Sequence, residues 1–107
     1  MQLAAGNPRH SANASVHRTM NERRRSDGPR FLANSITCEC ECNRAECGHN
    51  IEISIADYEA VRAEARRFIV APDHETRDEL MICAGRGYSV IEKVGDPGDL
   101  AQALDPR

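Results

Sequence analysis

From Ile51 the chain changes its hydrophobic period in the middle of one run. Ile51, Ile53 and Ile55 alternate with Glu52 and Ser54, which is the pattern of a half-buried strand. Beyond Ile55 the apolar positions fall three or four apart, at Tyr58, Val61, Ala65 and Phe68, and so line one stripe of a helix. Ser54 stands where an N-cap is needed, with Asp57 three residues on as an acidic form of the capping box. The pattern predicts a strand handing over directly to a helix over about 56–66, closed by Arg66 and Arg67, whose charges suit a helix C-terminus.

Further on, Phe68-Ile69-Val70 is a short apolar run cut off by Pro72. The segment ELMICAGRGYSVIEKV then gives two apolar runs around Ala84-Gly85-Arg86-Gly87, the signal of a β-hairpin whose glycines supply positive φ. Asp96-Pro97 is placed to cap and open a short last helix, DLAQAL. The expected fold class is α+β: a small domain over residues 31–107 with an antiparallel hairpin and one main helix.

Residues 1–30 carry no such period. They are rich in Asn, Ser, Arg and Ala, with Pro8 and an SDGP turn at Ser26–Pro29, and read as a disordered basic arm with at most a short helix near Met20–Arg25. Six arginines stand there against Glu22 and Asp27, a net charge of +4. Residues 31–107 hold eight basic and fifteen acidic side chains, a net charge of −7. A basic arm on an acidic body is compatible with nucleic acid, although the plainer reading is a solvated tail partly neutralised by its own body. His10 and His17 lie in this arm and are expected to be solvated.

No stretch has the apolar core of an export signal, and no run of about 18 apolar residues would span a membrane. The expected setting is cytoplasmic, without membrane contact. Thiols there are kept reduced, so clustered cysteines point to metal or redox chemistry rather than crosslinks. With two Phe, two Tyr and no Trp in 107 residues, the core is thin and a staple is expected.

The candidate staple is ITCECECNRAECGH, Ile36 to His49, with the spacing Cys38-x-Cys40-x-Cys42-x4-Cys47-x-His49. Alternate residues of a strand lie about 6.5–7 Å apart, whereas two sulfurs on one zinc ion sit about 3.8 Å apart. A Cys-x-Cys pair therefore chelates only where the chain bends, and three in a row do not share one ion. Cys40 with Cys42, or Cys38 with Cys40, remain as pairs, and Cys47 can fold back on either. The fourth ligand is then one of His49, His74, Cys83 and Cys38. A reactive thiol would need a lowered pKa, which Glu39, Glu41 and Glu46 oppose.

The blocks CEC-NRAE-C, ADYEAVR, RRFIVAPDHE, GYSVIEK and LDPR resemble, in order and spacing over residues 36–107, a group of short uncharacterised actinobacterial proteins. The resemblance implies that Cys40, Cys42 and Cys47 take that group's cysteine positions and His74 its histidine, a closed Cys3His set for structural Zn²⁺. Cys38 is then an extra. Asp73 replaces a glycine of that pattern, so the turn presenting His74 must avoid positive φ or strain Asp73. The stretch Met20–Ser35 reads as an abbreviated form of a longer helix in that group.

No nucleophile–base–orienter set is legible, and no phosphate loop accompanies Gly85 and Gly87. Tyr58 and Tyr88 read as core residues with solvated hydroxyls. The expectation is a non-catalytic zinc module that works through an unknown protein partner or as a regulator, with no small-molecule substrate. Nucleic-acid binding through the arm and a thiol switch that ejects metal on oxidation are the alternatives.

Overall fold

The computed structural model describes residues 8–27 and 34–107, with side chains from Ala12 onward. The elements run α1 (Pro8–Asp27), β1 (Ser35–Glu39), β2 (Asn50–Ser54), α2 (Ile55–Arg62), β3 (Arg67–Val70), β4 (Leu80–Ala84), β5 (Ser89–Glu92) and α3 (Gly95–Ala103). This is an α+β fold with two small antiparallel sheets. One pairs β1 with β2, and the other has the order β3-β5-β4.

The strand-to-helix switch lies where the period changes. Ser54, extended at φ −65° and ψ 150°, accepts the Asp57 N–H on its hydroxyl at 3.0 Å and so caps α2. The helix is a turn shorter than the stripe suggested. It ends at Arg62, and Ala65 and Phe68 continue the apolar stripe from a turn and from β3 instead. The buried Arg18 guanidinium holds that turn by donating to the Ala65 carbonyl at 2.6 Å. Arg66 and Arg67 accordingly cap no helix. Arg66 pairs with Asp99, and Arg67 opens β3 and pairs with Glu92.

The hairpin forms over β4 and β5, with Ala84 opposite Ser89. Its glycines do not take positive φ; Gly85 closes the turn by donating its N–H to the Tyr88 carbonyl at 2.9 Å, where a Cβ would crowd that same oxygen. Positive φ falls on Gly95, at 62°. The last helix begins there, with Val94 at the N-cap position and no side-chain cap, so Asp96 lies inside its first turn rather than capping it.

The largest difference concerns the expected arm, most of which is a twenty-residue helix packed on the body. Residues 1–7 and the Gly28-Pro29 part of the expected turn lie outside the described residues. Within α1, Ala14, His17, Arg18 and Asn21 fall at helical spacing and all are buried. The stripe is polar, and each polar member reaches a partner on the body. Arg18, fully buried, donates to the carbonyls of Ala65 and Ala101, both at 2.6 Å, and stacks 4.3 Å above the Phe68 ring. Asn21 uses its carboxamide as a strand would: Oδ1 accepts the Glu39 N–H at 2.8 Å and Nδ2 donates to the Glu39 carbonyl at 2.9 Å.

Below α1 a charged network ties α1 and α2 to Asp105 and Arg107. Glu22 accepts from the Tyr58 hydroxyl and from Arg107, and Arg62, fully buried, pairs with Asp105 and lies 3.4 Å from Glu22. Tyr58 is therefore buried with its hydroxyl bonded to protein rather than solvated. Desolvation first, and Glu22 second, push its pKa above the usual range. Among the described residues no helix is long and apolar enough to cross a membrane.

Candidate metal centre

β1 and β2 pair in register, Cys38 opposite Ile51 and Glu39 opposite Asn50, and the Cys40 N–H extends the ladder to the His49 carbonyl at 2.9 Å. The cysteine-rich segment is thus the loop of a hairpin. Cys38 still belongs to β1, whereas the chain leaves the strand at Cys40 and bends at Cys42 and Asn43. A Cys-x-Cys chelate requires such a departure from the strand, and Cys40–Cys42 lies wholly beyond β1, whereas Cys38 is still part of it.

On the other side, the link after β3 turns sharply. The His74 N–H donates to the Ala71 carbonyl at 3.0 Å, with Pro72 and Asp73 between them, and Asp73 has φ 69°. Proline followed by a residue of positive φ is the arrangement of a type II turn. Asp73 takes the left-handed conformation itself, and the turn aims the His74 ring at the cysteine loop.

The consequence is a four-sided group. The ligand atoms of Cys40, Cys42, Cys47 and His74 all lie within 4.8 Å of one another. His74 Nδ1 is 3.5 Å from Cys40 Sγ and 3.5 Å from Cys47 Sγ. A tetrahedral ion bonded to sulfur at about 2.3 Å and nitrogen at about 2.0–2.1 Å sets the two ligand atoms about 3.6 Å apart. The four groups are positioned for metal binding.

No family model, curated protein or solved structure matches this chain.

The surroundings favour a thiolate at Cys42, at the buried end of the group. Cys40 Sγ accepts the Ala71 N–H at 3.1 Å. Cys42 is held below the usual thiol range, first by a hydrogen bond from Cys40 and then, against burial, by the Arg44 N–H, His74 and Cys47; Cys40, as its partner, is pushed up. Cys40 and Cys42 are buried, while Cys47 and His74 are half-exposed.

The remaining sequence candidates stay outside. Cys38 is buried under the β1–β2 sheet, and burial, then Glu41, pushes its thiol up to about 12, the opposite of what a ligand or reactive thiol needs. Cys83 is exposed on β4. His49 is exposed with its ring centroid 5.6 Å from that of His74, edge to face, as a neighbour of the group.

Side chains that composition did not single out hold the loop in place. Asn13 donates to the Asn43 carbonyl at 3.0 Å, and Lys93, almost fully buried, donates to Asn43 Oδ1 and to Glu79, both at 2.7 Å. His17, expected in solvent, is buried between Glu39 Oε1 at 2.5 Å and the Arg44 carbonyl at 2.8 Å. Burial alone would lower its pKa. The two acceptors, Arg44 O first and Glu39 next, outweigh that and raise it. Glu41, between Cys40 and Cys42 in the chain, points the other way into the body, where desolvation pushes its carboxyl up to about 7 against the pull of Asn21, the Ile69 N–H, Arg62 and Arg18. The one sequence signal for the α1 contacts was the i, i+3, i+4, i+7 spacing of Ala14, His17, Arg18 and Asn21, hidden because three of the four are polar.

Proposed function

We propose that this chain is a small non-catalytic zinc module of the cytoplasm, in which the ion staples the β1–β2 loop to the link after β3, and that it works by contact with a protein partner. The observation that carries the reading is the convergence of Cys40, Cys42, Cys47 and His74, from segments 27 or more residues apart, to within 4.8 Å. Three thiolates and an imidazole favour Zn²⁺ over hard cations, and a set filled by four protein groups leaves no open position for water. Zinc in such a site contributes roughly 10 kcal/mol or more to folding, suited to a domain whose core contains so few aromatic residues. All four ligands fall within the blocks that resemble the short actinobacterial proteins.

Elemental analysis of the purified chain tests the reading directly. One zinc per chain, lost on chelation together with the cooperative unfolding transition, is the expected result. A chain that folds identically without metal would sink it.

A thiol switch is the second reading, favoured by the half-exposed Cys47 beside a buried pair. Mild peroxide should then release zinc, with recovery on reduction. Against nucleic-acid binding through α1, Arg18 is buried, Arg24 pairs with Glu39 and Arg25 with Glu59. These contacts use much of the basic run within the body, and only a steep fall of affinity with salt would restore that reading.

A further inference from the structure

β4 differs from every other strand. All five of its residues are exposed, with Leu80 at 52%, Met81 at 43% and Ile82 at 40%, whereas Phe68 to Val70 of β3 and Ser89 to Ile91 of β5 are buried. It is the outer strand of the β3-β5-β4 sheet. An apolar strand at a sheet edge is a template for pairing, which folded proteins ordinarily shorten, charge or cover.

The opposite edge of the same sheet is closed. On β3, Ile69 gives its carbonyl to the Glu41 N–H at 2.8 Å and its N–H to the Glu41 carboxylate at 2.9 Å. The sheet can therefore grow only at β4. The ends of β4 also carry opposite charges: Asp78 precedes it and Arg86 follows it, both exposed, and neither forms an ion pair among the described residues. An antiparallel strand of the same sequence would set the acidic end of each against the basic end of the other.

We propose that β4 is a homodimer interface, at which two copies of this chain pair their β4 strands antiparallel about a two-fold axis near Ile82, with Asp78 of each copy facing Arg86 of the other. The product is a six-stranded sheet that pairs the free backbone edge of β4 and sets Leu80, Met81 and Ile82 beside their cross-strand counterparts. Because each copy has one free edge in this sheet and uses it, assembly stops at two rather than running on as a filament. The ladder to β5 is irregular between Met81 and Cys83, so Ile82 is the extra residue of a bulge at mid-strand. A bulge twists the edge away from indiscriminate partners. A second copy, carrying the same bulge at the axis, matches that twist. A foreign strand would have to supply both the bulge and the reversed charges. The inference does not depend on the metal.

The test is the mass of the full chain by sedimentation across a concentration series, with circular dichroism to confirm that each variant is folded. A monomer–dimer equilibrium is expected, weakened at least about tenfold by Ile82→Lys. Asp78→Arg and Arg86→Asp should each weaken it, and the double exchange should restore it. A monomer at every concentration, a dimer indifferent to Ile82→Lys, no recovery in the double exchange, or growth past two copies would each overturn the proposal.

Discussion

Glu41 takes both backbone groups of Ile69, its own N–H meeting the Ile69 carbonyl at 2.8 Å and its carboxylate receiving the Ile69 N–H at 2.9 Å. The second carboxylate oxygen accepts from Asn21 Nδ2 at 2.7 Å, and Asn21 in turn completes the edge of β1 at Glu39. Two buried side chains thus stand in for strands that the small sheets lack. Glu41→Ala leaves the Ile69 N–H and one of the two Asn21 amide N–H groups without an acceptor and should cost about 2–4 kcal/mol in denaturant unfolding. Glu41→Gln should also destabilise, by less, because its amide would face the Asn21 amide donor to donor, and Asn21 is held from flipping by Glu39.

Metal content should divide the cysteines and histidines. Cys40→Ser, Cys42→Ser, Cys47→Ser and His74→Ala should each lose bound zinc and at least about 3 kcal/mol of stability, which lowers Tm by more than about 10 °C in a chain of this size. Cys83→Ser and His49→Ala should keep full metal content and lie within about 0.5 kcal/mol of the wild type. Cys38→Ala should keep its metal but lose about 1 kcal/mol from the small void it leaves. Full metal in His74→Ala together with loss in His49→Ala would reassign the nitrogen ligand.

His17 gives the docking of α1 a pH dependence. Both ring nitrogens face acceptors, so the bound ring carries two protons, and its folded pKa lies above the ordinary value of about 6.5. A raised basic pKa means that the contact's contribution is complete below about pH 6.5 and is lost as pH rises through the folded value. His17→Ala should therefore cost about 1–3 kcal/mol near pH 6, and the variant and wild-type stability curves should converge at alkaline pH. Taking the difference between the two proteins removes the separate pH dependence of metal binding. A constant gap across the range would exclude a charged His17.

Asp73 holds φ 69° in the turn that aims His74. Asp73→Gly should raise stability slightly, by under about 1 kcal/mol, with metal affinity unchanged. Asp73→Val, branched at Cβ, should cost about 1–2 kcal/mol and weaken metal binding along with it. Equal behaviour of the two variants in metal titrations would separate the turn from the site.

The parts of the fold visible in the sequence were those built on apolar spacing. Ile51 and Ile53 gave β2, Ser54 its handover to α2, and the two apolar runs around Gly85 gave the β4–β5 hairpin. The cysteine geometry was legible only in part: the fixed distance between alternate strand residues excluded three successive cysteines on one ion but left two pairs open, and the choice of Cys40, Cys42, Cys47 and His74 rested on the resemblance. α1 was not legible, because its buried stripe is His17, Arg18 and Asn21. Those residues are buried only because acceptors from residues 39, 44, 65 and 101 await them, and no local window contains both halves of such a pair. Arg62 and Glu41 were missed in the same way. Periodicity detects faces that avoid water, whereas this chain packs one of its helices through hydrogen bonds.

The bond from Arg18 to the Ala101 carbonyl spans 83 residues. On a ribosome, α1 emerges 83 residues ahead of the carbonyl that receives Arg18. Until then the helix has no apolar stripe to collapse on, and its buried cation has the Ala65 carbonyl but lacks its second acceptor. The helix is thus made well before the segment that seats it, and the cysteine hairpin and the turn that presents His74 are both complete before the Ala101 carbonyl can lock α1 in place.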